Sequence, residues 1–288
     1  MKKSILCITL VAFFGMQSVK AQKKEFNEVI KKELLYESTG SGRMLEVQNL
    51  NGSISVEGYD SEVVMLEVEK TITARSADDL ELGKKEIGIK VLQRGDKLIV
   101  YPDVPNMHYK DGRFTNIDCN SWEESPYYHT LNIKVKMPKN SKLKVGTINN
   151  GEVVVKNTRG SYIEAHNING GIELSNITGQ TKVHCINGEV GISYADNPTL
   201  ASTYYSLNGD INITYKKGLS ADVAFKSMNG ELFTDFDIVK QFAKTTKDES
   251  GKKNTKYRYE SKPVVQIGNG GLSFDFETLN GDVIIKKI

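Results

Sequence analysis

The chain has 288 residues, with 38 basic and 36 acidic side chains, a formal charge of +2, 39% apolar residues and 26% charged ones. That balance excludes a dedicated basic nucleic-acid binder and is too apolar for a disordered chain, while the length allows one or two domains. There is no G-x-S-x-G elbow, no H-E-x-x-H helix and no phosphate-cradling glycine loop ahead of a helix, so no catalytic signature stands out.

Lys2 and Lys3 precede an apolar run from Ile5 to Phe14, and Val19-Lys20-Ala21 offers small residues for cleavage. This predicts a signal peptide over 1–21, a mature chain from Gln22 and a periplasmic or outer-surface address. The run is shorter than the ~20 residues a membrane-spanning helix needs, and no later segment approaches that length. Taking away Lys2, Lys3 and Lys20 turns the charge of +2 into −1. Cys7 follows Leu6 inside the apolar run, which is no place for a lipid anchor. Cys119 and Cys185 remain, and export permits them to pair, although their spacing does not show that they meet. Two separate thiols, with Cys185 buried as a small apolar residue, is the other reading.

From Gly42 the stretch "RMLEVQNLNGSISVEGYD" reads as strand, Asn51-Gly52 corner, strand. Longer alternating strands follow in "VVMLEVEKTI" and "EIGIKV", joined by "SADDLELGKK", where Ser76 with Asp78 and Asp79 marks a short capped helix. "QRGDKL" contains Arg94-Gly95-Asp96, which resembles an integrin-binding tripeptide but sits where a tight turn between strands explains it. "KLIVY" and "LNIKVKM" are further strands, the second half-buried through Leu131, Ile133, Val135 and Met137. The elements from "VVMLEVEKTI" on read as a β-rich cap over a stack of strand–corner–strand units, of which the Gly42 stretch is the first. Between them, 101–130 reads as a long loop holding the only Trp. Its Tyr109, Trp122, Tyr127 and Tyr128 are candidate ligand-binding residues, because flat rings with polar tips suit sugar faces and partner pockets. The same rings would also serve to pack the loop onto the body.

Then a repeat sets in. Asn150-Gly151, Asn169-Gly170, Asn187-Gly188, Asn208-Gly209 and Asn229-Gly230 recur at steps of 19, 18, 21 and 21, and Asn280-Gly281 closes the chain. Apolar residues at spacing two flank each pair, as in Ile211 and Ile213, and a second Gly corner lies about nine residues ahead of it. Asn-Gly also suits hairpins. A regular two-strand unit cannot bury its own apolar faces, however, whereas stacked units can. The expected fold is all-β: a parallel β-solenoid (β-helix or β-roll) of about 20-residue units with Asn-Gly corners, right-handed by the crossover preference. It would form one continuous domain, with the β-rich region at 22–145 and the repeats at 146–288. A Lys-rich insertion over about 237–266 reads as a solvated excursion or a weak contact with anionic polymers.

His166 and His184 occupy equivalent positions, but Tyr205 and Lys226 continue their column, so no metal and no cofactor is predicted. Glu152, Glu189, Asp210, Glu231 and Asp282 fall two residues after their Asn. They read as a polar column at the corner, with a cation site or a carboxylate pair for polysaccharide cleavage as other readings.

"LEVQNLNGSISVEGYDSEVVMLEVEK", the serial Asn-Gly units and the ending "GNGGLSFDFETLNGDVIIKK" resemble a bacterial family of exported domains known as putative adhesins, of otherwise unknown function. The resemblance covers about Leu45 to the end and implies a β-solenoid at the cell surface or in the periplasm. The two insertions depart from the family's repetitive pattern. The functional expectation is a non-enzymatic scaffold presenting loops, chiefly 101–130, to an envelope protein or glycan. A polysaccharide-acting enzyme using Glu189, Asp210 and Glu231, or a purely structural spacer, are the alternatives.

Overall fold

The computed structural model describes residues 23–37, 40, 42–105, 107–110, 112–116, 125–244 and 262–288. The expected signal peptide, Cys119 and Trp122 lie outside the described residues. In chain order the first part holds β1 (Lys24–Leu35), β2 (Met44–Gln48), β3 (Ile54–Tyr59), β4 (Val63–Ala74), α1 (Ala77–Glu86), β5 (Gly88–Arg94) and β6 (Lys97–Asp103). A small hairpin, β7 (Met107–Lys110) and β8 (Arg113–Asn116), precedes the long β9 (Tyr127–Pro138). The repeats come next, as β10 (Lys142–Thr147), β11 (Val153–Lys156), β12 (Tyr162–Asn169), β13 (Ile172–Ile177), β14 (Gln180–Asn187), β15 (Val190–Tyr194), β16 (Ser202–Asn208) and β17 (Ile211–Tyr215). The last part holds β18 (Ala221–Lys226), β19 (Leu232–Thr234), β20 (Ile238–Lys244), β21 (Lys262–Ile267), β22 (Leu272–Asn280) and β23 (Val283–Lys287).

Each repeat sends one strand to each of two sheets. Sheet A has ten strands in the order β1-β4-β9-β3-β11-β13-β15-β17-β23-β19, and sheet B eleven in the order β20-β21-β18-β22-β16-β14-β12-β10-β2-β6-β5. Neighbouring repeats pair in parallel, as β12 with β14 and β13 with β15. Alternation does the burying: Ile163 and Ala165 point inward from β12, Val190, Ile192 and Tyr194 from β15, and all join one core cluster. Each buried Val, Leu or Ile side chain is worth roughly 1.5–3 kcal/mol when taken out of water. Three buried tyrosines share hydroxyls across the core, Tyr204 to Tyr194 at 2.7 Å and Tyr215 to Tyr204 at 3.0 Å.

The repeats do not stack in chain order. β22 lies between β16 and β18, and β23 between β17 and β19, so the last repeat is intercalated between its two predecessors. The corner asparagines record the same order in a ladder of amide bonds. Asn169 donates to Asn149, Asn187 to Asn169, Asn208 to Asn187, Asn280 to Asn208 and Asn229 to Asn280, at 2.8–3.0 Å. The rung expected at Asn150 is held by Asn149. Asn150 is an extra residue with φ 57°, whereas Gly151 keeps its place against Gly52. The glycine column is packed backbone to backbone. At Gly209, where φ is 142°, a Cβ would fall 2.2 Å from the Gly188 carbonyl oxygen, a position open only to glycine.

A second, buried column stands two residues before every corner Asn but Asn229 and faces inward: Asn49, Thr147, Asn167, Cys185, Ser206 and Thr278. These side chains donate to corner carbonyls that lack a backbone partner, Asn167 to Gly151, Cys185 to Gly170 and Gly188, Thr278 to Gly281. Buried carbonyls need such partners. Cys185 is a free thiol, pushed up to about 11 by burial.

At the N-terminal end β1, β4 and β9 form an antiparallel extension of sheet A, and α1 packs on it. Ser76 caps α1 by accepting from the Asp79 amide at 3.0 Å. The buried Lys70 donates to the Lys84 carbonyl in the last turn at 3.0 Å and pairs with Glu28 at 3.1 Å. A cation there suits the helix dipole and keeps its burial compensated. The segments expected as loops are partly strand: β7 and β8 lie inside 101–130, β9 begins already at Tyr127, and β20 and β21 form an antiparallel hairpin at the edge of sheet B.

Candidate functional site

Along the outer face of sheet B the register sets charges of alternating sign side by side, Glu46, Lys144, Glu164 and Lys182. Lys144 approaches Glu164 at 3.0 Å, and Tyr162 donates to Glu164 at 2.7 Å. Burial acts to raise the Glu164 carboxyl, but these donors outweigh it and hold the group below its ordinary value. The neighbouring row runs Gly146, His166, His184, Tyr205, Glu277, Lys226, with Glu277 entering because of the intercalated repeat. The His166 ring lies over Gly146, where a Cβ would come within 2.0 Å of it, and His184 stacks on Tyr205 at 4.5 Å. Among the described residues no group of three or more His, Cys, Asp or Glu side chains is placed to hold a metal ion.

At the N-terminal end of this face the β7–β8 hairpin adds a second layer. Tyr109 stacks on Tyr101 at 4.8 Å, meets Phe114 edge-on at 5.2 Å, and donates its hydroxyl to Glu46. Glu46 is only 2% exposed, and Lys97 at 3.3 Å and Lys144 at 4.0 Å balance its charge. Burial, and then the hydrogen bond to Glu46, hold the Tyr109 hydroxyl far above the usual tyrosine range. Under the hairpin lies a cavity of about 340 Å³ that Glu46, Arg94, Lys97, Tyr109 and Lys144 line together with Leu92 and Ile99. Arg94-Gly95-Asp96 forms the turn between β5 and β6, with Arg94 paired to Lys97 across it.

The other sequence candidates sit elsewhere. Tyr127 is buried at the start of β9 on sheet A. Its ring lies where Gly83 of α1 leaves room, and its hydroxyl donates to Glu86 at 2.5 Å. Tyr128 is 49% exposed and accepts from Asn150 at 2.5 Å. These two line a separate cavity of about 600 Å³ with Lys23, Arg75 and Asp79. The structure thus brings Tyr109 together with Glu46, Lys97 and Lys144, and does not bring it to Tyr127 and Tyr128. Arg94 is visible in the sequence only as part of a turn tripeptide, and Glu46, Lys97 and Lys144 only as outward positions of alternating strands.

The acidic column has a structural use at its C-terminal end. Asp210 accepts from the Asp282 amide and Asp282 from the Glu231 amide, both at 2.9 Å. No helix among the described residues is long and apolar enough to cross a membrane.

Three solved structures resemble the whole chain at low identity. A putative cell adhesion protein from Clostridium sporogenes is 9% identical with a TM-score of 0.39, covering 93% of this chain and 100% of its own. A putative adhesin from Bacteroides fragilis is 9% identical with a TM-score of 0.31, covering 91% and 97%. A putative lipid binding protein from Parabacteroides distasonis is 12% identical with a TM-score of 0.36, covering 90% and 96%. Likeness at this level carries no argument about what this chain binds. No curated protein matches. A family model matches residues 38–270, most of the chain, including the opening segment whose resemblance pointed to a family of unknown function, and the chain belongs to the Toastrack DUF4097 family.

Proposed function

We infer that the protein is an exported, non-enzymatic binding scaffold that presents surface elements to an envelope protein or a glycan, with no cofactor. The observation that carries this reading is the division of labour across sheet B. On the repeats' part of this sheet Lys144 pairs with Glu164 and Lys226 with Glu277, and the corner asparagines bond to one another within the stack. The N-terminal end carries an added aromatic hairpin over a cavity, which the packing of the solenoid does not require. Two sheets of stacked β-strands supply the rigidity that a recognition surface needs. In this reading residues 1–21 are the export signal, and the coil is right-handed by the general preference for crossovers.

Asp210 and Asp282 serve as backbone acceptors on an open face, a placement that favours the scaffold over a carboxylate pair working in a cleft. The test is a screen of residues 22–288 against a glycan array and extracted envelope proteins, with Tyr109→Ala, Trp122→Ala and Tyr128→Ala variants alongside. Binding lost in a variant of unchanged melting temperature supports recognition by that element. A chain that binds nothing in either screen is a spacer, and the reading fails.

A further inference from the structure

The cavity under the β7–β8 hairpin holds more positive charge than its own partners take up. Glu46 is the one carboxylate on its lining among the described residues, and its oxygens are shared among the Tyr109 hydroxyl, Lys97 and Lys144. Lys144 is drawn further toward Glu164 at 3.0 Å. Arg94 is exposed and has no carboxylate partner among the described residues. Because Arg94 and Lys97 face each other across the β5–β6 turn, two cations stand side by side on one wall. The rest of that wall is apolar, Leu92 and Ile99, and the Tyr109 ring is held in place by its stacking on Tyr101.

A volume of about 340 Å³ is more than an inorganic anion fills, and it falls at the lower end of small-molecule sites. A planar guanidinium matches a carboxylate by two parallel hydrogen bonds. Apolar side chains beside a rigid tyrosine suit the C–H face of a pyranose ring, and the Lys144 ammonium group can donate to ring hydroxyls. A sugar acid unites the three features. A neutral sugar leaves Arg94 unpaired, and a bare anion leaves the apolar wall wet.

We propose that this cavity binds the carboxylated pyranose units of an acidic polysaccharide, with Arg94 and Lys97 holding the carboxylate and Tyr109, Leu92 and Ile99 the ring face. The proposal rests on the binding-scaffold reading and names its ligand class. Titration of residues 22–288 with a galacturonic acid tetramer should show saturable binding that weakens with added salt. The carboxyl-reduced neutral tetramer should not bind, and inorganic phosphate should not compete. Arg94→Gln, at an exposed position that leaves the fold intact, should weaken binding about tenfold, the effect of one charge-assisted pair. Lys240→Gln at the far end of the sheet should change nothing.

Equal binding of the neutral tetramer, full competition by phosphate, or an unchanged Arg94→Gln affinity would each overturn the assignment. If the uronate fails to bind while the envelope screen still yields a partner lost in Tyr109→Ala, the ligand class is wrong and the scaffold reading stands. If both come back empty, both fall.

Discussion

Tyr204 is the hinge of the buried tyrosine chain, and replacing it with Phe isolates the contribution of one hydroxyl. Its ring is fully buried and stacks on Phe276 at 4.6 Å, a contact that Phe keeps. What is lost is the oxygen that meets Tyr194 at 2.7 Å and Tyr215 at 3.0 Å. Tyr194 has the Thr181 and Ser202 hydroxyls close by, but Tyr215 is left with a buried hydroxyl and no side-chain partner. An orphaned buried group costs about 1–3 kcal/mol and a lost hydrogen bond about 1, so Tyr204→Phe should destabilise the protein by roughly 2–4 kcal/mol. Tyr215→Phe removes an end of the chain and should cost about 1 kcal/mol. In the double variant no orphan remains at Tyr215, so its cost should be below the sum of the singles by about 1–3 kcal/mol. Urea denaturation followed by far-UV circular dichroism reads all three. A neutral Tyr204→Phe, or additive singles, would refute the account of this core.

Other expectations rest on the same geometry. Asn280 occupies two rungs of the amide ladder and Asn229 only the last, so Asn280→Ala should lower the denaturation midpoint more than Asn229→Ala. Stacking in chain order would give the reverse. Gly209→Ala, which adds a Cβ at positive φ against the Gly188 carbonyl, should cost more than about 2 kcal/mol in thermal or urea unfolding. Cys185→Ser should stay within about 1 kcal/mol of the parent, because Ser206 already fills the equivalent place, whereas Cys185→Ala takes the side-chain partner from the Gly170 carbonyl, Gly188 keeping Ser206, and should cost about 1–3 kcal/mol. Burial lowers the affinity of His129 and His166 for protons, helped at His166 by the charge of Lys144. The unfolded chain therefore binds protons first, so this stability is whole above the unfolded value of about 6.5 and is lost as pH falls below it toward the depressed folded value. Melting temperature measured from pH 7.5 to 5 should fall, and less so in a His129→Gln, His166→Gln variant.

The solenoid was legible because its two signals are local: spacing of two in each strand, and Asn-Gly at each change of sheet. Even so, a period along the chain says nothing about order in space, and no residue of "GLSFDFETLNGDVIIKK" announces that it slips between earlier repeats. The shift from Asn150 to Asn149 was hidden for a related reason, since "INNG" offers two asparagines and only the extra residue's φ decides between them. β1 was not recognisable, because Phe26, Ile30 and Leu34 recur every four residues, a helical spacing. The strand tolerates it because Glu28, between Phe26 and Ile30 on the same face, is paired with the buried Lys70. The inward polar column was written plainly two residues before each Asn and went unread. Tyr109 was visible as an aromatic in an insertion. Its partners Glu46, Lys97 and Lys144 come from three strands far apart in sequence, and only the register of sheet B assembles them.

That the protein is a scaffold whose recognition surface lies at the N-terminal end of sheet B is tested most directly by amide hydrogen exchange. Residues 22–288 would be measured alone and saturated with the partner recovered from envelope extracts. The account predicts added protection over 92–99 and 107–116 and none over β19 and β20. Protection confined to β19 and β20, or no partner from either the extracts or the glycan array, would contradict it.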